Sequence, residues 1–327
     1  MNENRRGCCV KVDVAIVGAG MAGVMAASVV QQAGKDVLLI DKGKSVGGRM
    51  ATRRVEQGKV DHGAQFFTVR TEDFQRHVDQ WVVNGQVKEW FGDPYKRYCG
   101  TDGMNGLIKY LAKDVEKKLN TRIVQISKET DGWLLYDEQG EIAQANNVIF
   151  TPPAPQIIDI LKDSREGNDL VPKLQDITFN PCFVAILKLH EPINLSDSGH
   201  LDEYLPDGME RMVDHQAKGI SSLPTVSIYM EGTWSKKHYE ENDDTVLQLI
   251  LEKASTYIHK DDIEVKQLKR WRYAEAKTTL KSPFINQDSL YVAGDAFLHE
   301  DDPAGRTRVE SAFLSGIAVG NAVLNKA

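Results

Sequence analysis

Between a β-branched apolar run and a stretch of small helix-forming residues the chain reads Gly18-Ala19-Gly20-Met21-Ala22-Gly23, and no other feature limits its fold as tightly. Residues 12–17 predict a strand and residues 21–33 a helix, so the glycines fall in the turn that joins them. Each glycine answers a mechanical demand. Gly18 permits the tight turn, Gly20 lets backbone approach a pyrophosphate, and Gly23 allows close helix–strand packing. A diphosphate would then sit at the helix N-terminus, where free N–H groups and the helix dipole favour an anion. A second predicted strand over 36–41 ends at Asp41, where a ribose-binding carboxylate belongs in such a unit, with Lys42 next to it. The unit is a dinucleotide site, and taken alone it separates neither NAD nor FAD from the other.

Residues 14–30 are uncharged, and with Arg5 and Arg6 ahead of them they imitate a membrane span or leader. The strand–turn–helix reading accounts for the same residues without a membrane, so none is expected as a partner. Phe74, Val78, Trp81 and Val82 predict a helix with one apolar face. A second helix, capped by Asp102, is predicted from the stripe Leu107, Ile108, Leu111, Val115 and Leu119. Strands are expected over 122–127, 133–137 and 147–151, the last stopped by Pro152 and Pro153. From about residue 170 to 282 the texture is mainly strands, such as 183–189 and 225–230, with one helix over 245–258. The last stretch repeats the pattern of the first, with a strand over 289–293, a Gly294-Asp295 turn and a small-residue helix over 309–324.

The expected fold class is therefore α/β. It has a Rossmann-type cofactor-binding domain with a parallel sheet, plus an inserted mixed α+β substrate domain with an antiparallel sheet. The first is expected to comprise 1–70, 101–170 and 283–327, the second 71–100 and 171–282. Forty Lys and Arg against 47 Asp and Glu leave a net charge of −7, which argues against a nucleic-acid partner. Cys8, Cys9, Cys99 and Cys182 form neither a C-x-x-C pair nor a disulfide framework, so a reducing, cytoplasmic setting is expected. Eight scattered histidines without H-E-x-x-H predict no metal site.

Residues 42–54 read Lys-Gly-Lys-Ser-Val-Gly-Gly-Arg-Met-Ala-Thr-Arg-Arg. Gly47 and Gly48 would let the chain pass close to a dinucleotide, and Arg49 would pair with its phosphates; an ordinary turn and a solvated charge read the same way. Four motifs in order carry a resemblance over the whole chain. They are GAGMAG, then GGRMATRR, then Asp61-His-Gly-Ala-Gln-Phe-Phe-Thr68, and finally Tyr291-Val-Ala-Gly-Asp-Ala-Phe followed by Gly305-Arg-Thr-Arg-Val-Glu-Ser-Ala-Phe-Leu-Ser-Gly316. Together with Arg270-Trp-Arg-Tyr-Ala274 they resemble bacterial FAD-dependent enzymes of the renalase group, in the flavin amine oxidase superfamily.

That resemblance implies FAD, held non-covalently since no motif obliges a linkage, and no catalytic side chain beyond the flavin itself. It implies that Gly294 and Asp295 hold the ribityl and pyrophosphate region, and that Arg308, Val309, Glu310 and Ala312 lie beside the flavin. Gly48, Arg49, Met50, Gly63, Ala64, Gln65 and Phe66 would line the cofactor, with Phe66 equally readable as core. Thr151 matches the family's cofactor-side turn, and Ile123 is a candidate for backbone contact to adenine. Asp41 is a methylene shorter than the glutamate usual in this superfamily, so a bridging water can replace its direct ribose bond.

On the substrate side the candidates are Trp234, Trp271 and Tyr273, to sandwich a flat heterocycle, and Arg272, to meet a phosphate or carboxylate. His62 and His238 are candidates for a hydrogen bond, and core packing explains each aromatic as well. The resemblance implies oxidation of aberrant dihydro isomers of NAD(P) to NAD(P)⁺, with electrons passed to O₂ as H₂O₂. The alternatives are an amine oxidase or another FAD-dependent dehydrogenase and, from a different class, a non-catalytic FAD-binding protein or a plain NAD-dependent dehydrogenase. Arg306, Thr307 and Arg308 stand where amine oxidases place an aromatic, and two cations there would repel a protonated amine.

Overall fold

A computed structural model describes residues 10–162, 164, 166–302 and 304–325; Arg5, Arg6, Cys8 and Cys9 lie outside them. The chain opens with β1 (Val10–Val17), α1 (Met21–Gln32), β2 (Val37–Ile40), β3 (Thr52–Val55) and β4 (Gly58–Asp61). It continues with α2 (Glu72–Val83), β5 (Val87–Phe91), β6 (Arg97–Gly100), α3 (Met104–Leu111) and β7 (Lys117–Lys118). Next come β8 (Gln125–Glu129), β9 (Gly132–Asp137), β10 (Gly140–Phe150), α4 (Ala154–Lys162) and α5 (Leu170–Gln175). The second half holds β11 (Phe179–Leu189), β12 (His200–Leu201), β13 (Met209–Asp214), β14 (Thr225–Met230), α6 (Gly232–Lys237) and α7 (Asp243–Ala254). It closes with β15 (Ile263–Ala276), β16 (Ile285–Gln287), β17 (Leu290–Val292) and α8 (Val309–Leu324). These divide into two compact units. Unit 1 holds the chain up to Gly48, Ile108–Thr178 and everything from Ala276; unit 2 holds Arg49–Leu107 and Phe179–Glu275.

Unit 1 is built on a sheet in the order β16-β17-β10-β1-β2-β7, with the β8–β9 hairpin added against β10. The pairs β17–β10, β10–β1, β1–β2 and β2–β7 are all parallel. All of β2 is buried, as are the last three residues of β10, the continuous apolar runs that a sheet covered on both faces requires. The small-residue helices from the two ends of the chain pack on each other. A Cβ on Gly316 of α8 would overlap the Ala22 carbonyl of α1, and one on Gly320 would stand 2.8 Å from Val29 Cβ.

Unit 2 is an antiparallel sheet in the order β12-β13-β14-β11-β15. Alternation along β11 and β14 gives each face its own core. Phe183, Ala185, Leu187, Ile228 and Met230 pack under α7 with Val246, Leu247 and Ile250. Val184, Ile186 and Tyr229 pack instead with Val55 and Val60 of the β3–β4 hairpin. That hairpin explains why residues 49–70 fall in unit 2 and not with the Rossmann strands as expected. Thr225 Oγ1 donates to the Lys59 carbonyl at 3.0 Å and Tyr229 Oη to the Asp61 carbonyl at 2.9 Å. Residues 276–282 stay in unit 1, where Leu280 N–H donates to the Ala296 carbonyl at 2.8 Å. The fold is thus α/β, a Rossmann-type unit with a parallel sheet and a separate unit with an antiparallel one.

Three local expectations change. The helix predicted from Asp102 to Leu119 stops at Leu111, because residues 117–118 pair with β2 as an edge strand. Its cap is not Asp102, which pairs with Lys59; Met104 N–H donates to Asp61 Oδ1 at 3.0 Å and Asn105 N–H to Thr52 Oγ1 at 3.0 Å. In α2, capped by Thr71, Phe74, Val78 and Trp81 are buried but Val82 is 41% exposed, one position off the inward stripe.

Candidate functional site

In unit 1 the carboxyl ends of β1, β2, β10 and β17 lie side by side, and open α/β sheets bind ligands beyond those ends. Gly18, Asp41, Thr151 and Gly294 follow them closely in the chain. Gly18 has φ +104°, and a Cβ there would overlap Thr151 Oγ1. A Cβ on Gly23 would overlap the Gly18 carbonyl oxygen, so α1 begins in contact with the turn. Gly20 differs from both. Its φ of −83° suits any residue, and a Cβ there meets nothing within 4 Å. Neither conformation nor a neighbouring atom calls for glycine at this position. α1 has no side-chain cap and no acid in its first turn, so its positive end is left open beside Gly20.

Asp41 is tied to the same turn. It accepts Ala19 N–H on Oδ2 at 2.7 Å and Gly43 N–H on Oδ1 at 2.6 Å, and each oxygen keeps a lone pair for a ribose hydroxyl. The second glycine pair folds onto the first: Gly47 N–H donates to the Ala19 carbonyl at 2.8 Å, and a Cβ on Gly48 would stand 3.3 Å from Gly20 Cα. Thr151 Oγ1 donates toward the carbonyls of Val17 (3.1 Å) and Gly18 (3.0 Å). Ile123 is buried in an irregular segment ahead of β8, two residues after Thr121, whose N–H donates to the Asp41 carbonyl at 3.0 Å. Met21 and Ala22 are buried, and Lys42 reaches Gln156 Oε1 at 2.7 Å.

The C-terminal motif joins this edge. Gly294, at φ +150°, donates its N–H to Ser315 Oγ at 2.8 Å, and the Asp295 carbonyl accepts Ser311 Oγ at 3.2 Å. The Gly294-Asp295 turn is thereby pinned to the first turns of α8, which begins with Val309, buried Glu310 and half-buried Ala312. Arg308 Nη2 pairs with Asp302 Oδ2 at 2.7 Å, and its Nε lies 3.8 Å from Glu310 Oε2. Of the two cations in this stretch, Arg308 is thus matched by carboxylates, and Arg306 is exposed. The arrangement fits an extended, phosphate-bearing cofactor. It supplies an open helix N-terminus, a carboxylate for a ribose and a second glycine turn from the far end of the chain.

In unit 2 the segment Asp61–Phe66 is shaped from below by a buried ion pair. Asp61 Oδ2 and Lys218 Nζ are 2.7 Å apart, and both side chains are 0% exposed. Asp61 Oδ1 also accepts Thr52 Oγ1 at 2.5 Å, and Lys218 donates to the Gln65 carbonyl at 2.6 Å. Gln65 donates to the Asp61 carbonyl at 2.7 Å and to Tyr229 Oη, so its side chain is committed to the segment's own frame. Such charges are tolerated in an interior only when paired and hydrogen-bonded, as here. A Cβ on Gly63 would overlap the Arg49 carbonyl, which also accepts Ala64 N–H at 2.8 Å. Arg49 itself donates to the Ala274 carbonyl at 3.3 Å and stands 5.9 Å from the Phe179 ring centroid; Met50 is buried. Sequence reading missed Lys218 and Tyr229, which no local pattern marks and which lie more than 150 residues from Asp61.

The substrate-side candidates do not form one group. Alternation along β15 sends Trp271 and Tyr273 to one face and Arg270 and Arg272 to the other. Trp271 Nε1 donates to the His62 carbonyl at 2.6 Å and its ring stacks on the imidazole at 5.4 Å, while Tyr273 meets Phe179 edge-on at 5.6 Å. Arg272 is exposed and lies 5.1 Å over the Tyr239 ring, on the α6–α7 face. Trp234 and His238 belong to that face too. Their rings are 4.3 Å apart, Trp234 packs on Phe183, and His238 Nδ1 lies 2.8 Å from Glu241 Oε1.

Burial, with the Lys269 ammonium, pulls the His62 pKa from 6.5 down to about 4. The unfolded chain takes up this proton below pH 6.5 and the folded one only near 4, so stability is complete above 6.5 and falls as pH drops through that window. The loss is on the order of 3 kcal/mol. Urea midpoints of the wild type between pH 7 and 4.5 should therefore fall with pH, and His62→Gln should flatten that slope.

Among the described residues no group of His, Cys, Asp and Glu is arranged to hold a metal ion, and no helix is long and apolar enough to cross a membrane. The fold and the paired glycine turns define a Rossmann-type cofactor enzyme with a second, antiparallel unit. The chain belongs to the family of flavin containing amine oxidoreductases, whose pattern it matches over residues 70–324; residues 16–81 also match the NAD(P)-binding Rossmann-like domain. It is a flavin-dependent oxidoreductase. Mouse (Mus musculus) renalase is 28% identical over 170 residues, which cover 46% of this chain and 49% of that one, so the match spans about half the length of renalase. Putrescine oxidase bound to putrescine is similar in structure, with a TM-score of 0.67 and 14% identity over 97% of this chain and all of that one. Cyclohexylamine oxidase from Brevibacterium oxydans gives a TM-score of 0.68 and 12% identity over 96% and 99%. At such identities the likeness to both is one of fold.

Proposed function

We propose that the chain binds FAD without a covalent bond and oxidises aberrant dihydro isomers of NAD(P), each losing a hydride to give NAD(P)⁺. O₂ takes up the two electrons with protons and leaves as H₂O₂. The observation that carries the cofactor reading is Gly20, a glycine that neither its φ nor its neighbours demand, set at an uncapped helix N-terminus. Gly18, Asp41, Thr151 and Gly294 would hold the pyrophosphate, ribose and ribityl portions from the strand ends around it. When bound, the flavin supplies the two-electron acceptor for the hydride. The buried pair Asp61–Lys218 holds the segment ending in Phe66 in one shape, as a site that must orient a donor requires. Burial pushes the Cys182 thiol up to about 12 and raises Cys99 as well, which keeps both neutral and supports a non-covalent cofactor. A reducing, cytoplasmic setting is part of this proposal and rests on the cysteine spacing alone.

The similarity to renalase supports the substrate assignment. Two measurements test the reading. The purified protein should absorb at ~450 nm, the flavin's own band; a colourless protein that takes up no added FAD overturns the cofactor. Isomeric dihydronicotinamide dinucleotides should bleach that band anaerobically and amines should not. The reverse result makes the protein an amine oxidase.

A further inference from the structure

On the face of the unit 2 sheet away from α6 and α7, three aromatic rings and three cations gather round one imidazole. The His200 ring has Phe91 at 5.0 Å, Trp90 at 5.7 Å and Phe66 at 5.8 Å, centroid to centroid. Arg97 lies 5.3 Å over Phe66 and 4.8 Å over Phe91, and Arg211 lies 5.9 Å over Phe66. Lys218 is 4.7 Å from the Trp90 centroid. The three rings are half-buried, while the His200 side chain is only 2% exposed.

Two features distinguish this cluster from ordinary core. His200 Nε2 and Arg97 Nε are both buried without a hydrogen bond, and native interiors rarely leave such groups unmet. The charges are also unbalanced. Lys218 is matched by Asp61 and Arg211 by Glu210, and Asp202 is 3.7 Å from His200 Nδ1. Arg97 pairs with no carboxylate among the described residues; its Nη1 reaches only the Tyr95 carbonyl, at 3.5 Å. Lys88 likewise donates only to the carbonyls of Lys218 and Gly219. Burial and the nearby cations keep the imidazole itself neutral, its pKa lowered to about 4. A planar guanidinium with free N–H groups beside half-exposed rings suits an anion carried on an aromatic heterocycle, because the fork matches phosphate oxygens and the rings take the flat group.

We propose that Arg97, Arg211 and His200, on the Phe66–Trp90–Phe91 platform, hold the diphosphate of the dinucleotide substrate and make unit 2 selective for nucleotides over uncharged or cationic donors. The proposal rests on the substrate reading above, and its test separates the two. Calorimetric titration of the flavin-loaded protein with inorganic pyrophosphate should show binding that Arg97→Ala weakens at least about ten-fold, the loss of one charge-assisted hydrogen bond. Arg97→Lys, which keeps the charge but not the fork, should fall between them, and an unchanged flavin spectrum would show each variant folded. In turnover, the ratio of kcat/KM for a dihydronicotinamide dinucleotide isomer to that for its riboside, which lacks phosphate, should drop by a similar factor in Arg97→Ala. Pyrophosphate binding indifferent to Arg97, or a ratio within two-fold of wild type, overturns the subsite. Arg97-dependent pyrophosphate binding in a protein that oxidises neither compound upholds the subsite and removes the substrate reading.

Discussion

Gly20→Val is expected to leave unit 1 folded and to strip the protein of flavin. The backbone at Gly20 is extended, at φ −83° and ψ −173°, a region that suits a β-branched residue, and the added side chain begins in open space. The apoprotein should therefore melt within a degree or two of wild-type apoprotein. Any pyrophosphate at the start of α1 would meet the valine methyls and lose the helix N–H groups. Affinity for FAD should fall at least about 100-fold, or about 2.7 kcal/mol. Flavin content after purification and fluorescence titration with FAD measure this. A variant that purifies with full flavin content would show that the space at Gly20 serves nothing. The same substitution at Gly18 or Gly23 is not informative, because a Cβ there overlaps Thr151 Oγ1 or the Gly18 carbonyl and the fold itself suffers.

The second large effect lies in unit 2. Lys218→Met should cost roughly 3–5 kcal/mol, because it leaves Asp61 as an uncompensated charge at zero exposure. For a unit of this size that is a fall in Tm of about 6–20 °C. The ion pair as a whole contributes far less than this, since its attraction is largely offset by the desolvation of both partners. The double variant Asp61→Asn/Lys218→Met should accordingly recover most of the loss, with the Asn oxygen still able to accept from Thr52 and Met104. Thermal melts of the three proteins decide it. A Lys218→Met protein within 1 °C of wild type, or a double variant less stable than the single one, would contradict a buried and mutually dependent pair.

Much of the Rossmann unit was readable from the chain. The glycine turn, the strand just ahead of Asp41 and the small-residue helix over 309–324 all stand where spacing and residue type put them. The demand for glycine at Gly23 comes from the Gly18 carbonyl five residues away and that at Gly18 from its φ of +104°, although the atom a Cβ on Gly18 would meet, Thr151 Oγ1, is remote in the chain. The substrate-side candidates fared otherwise. Trp271 and Arg272 are neighbours in the chain and sit on opposite faces of β15, and the register of that strand is set by pairing with β11. The helix at Met104 is capped by Asp61 and Thr52, more than 40 residues earlier, where Asp102 was the local choice.

What the amino-acid sequence determined by itself was thus the local geometry: which runs are strands and which turn leaves a helix end open. These outcomes depend on φ/ψ limits and on side-chain period, and both are properties of short stretches of chain. Only the tertiary structure decided that Lys218 meets Asp61, that Arg308 is matched by Asp302, and that Arg97 and His200 share one aromatic platform. A charge chooses its partner by distance and burial, and neither exists until remote segments have packed together.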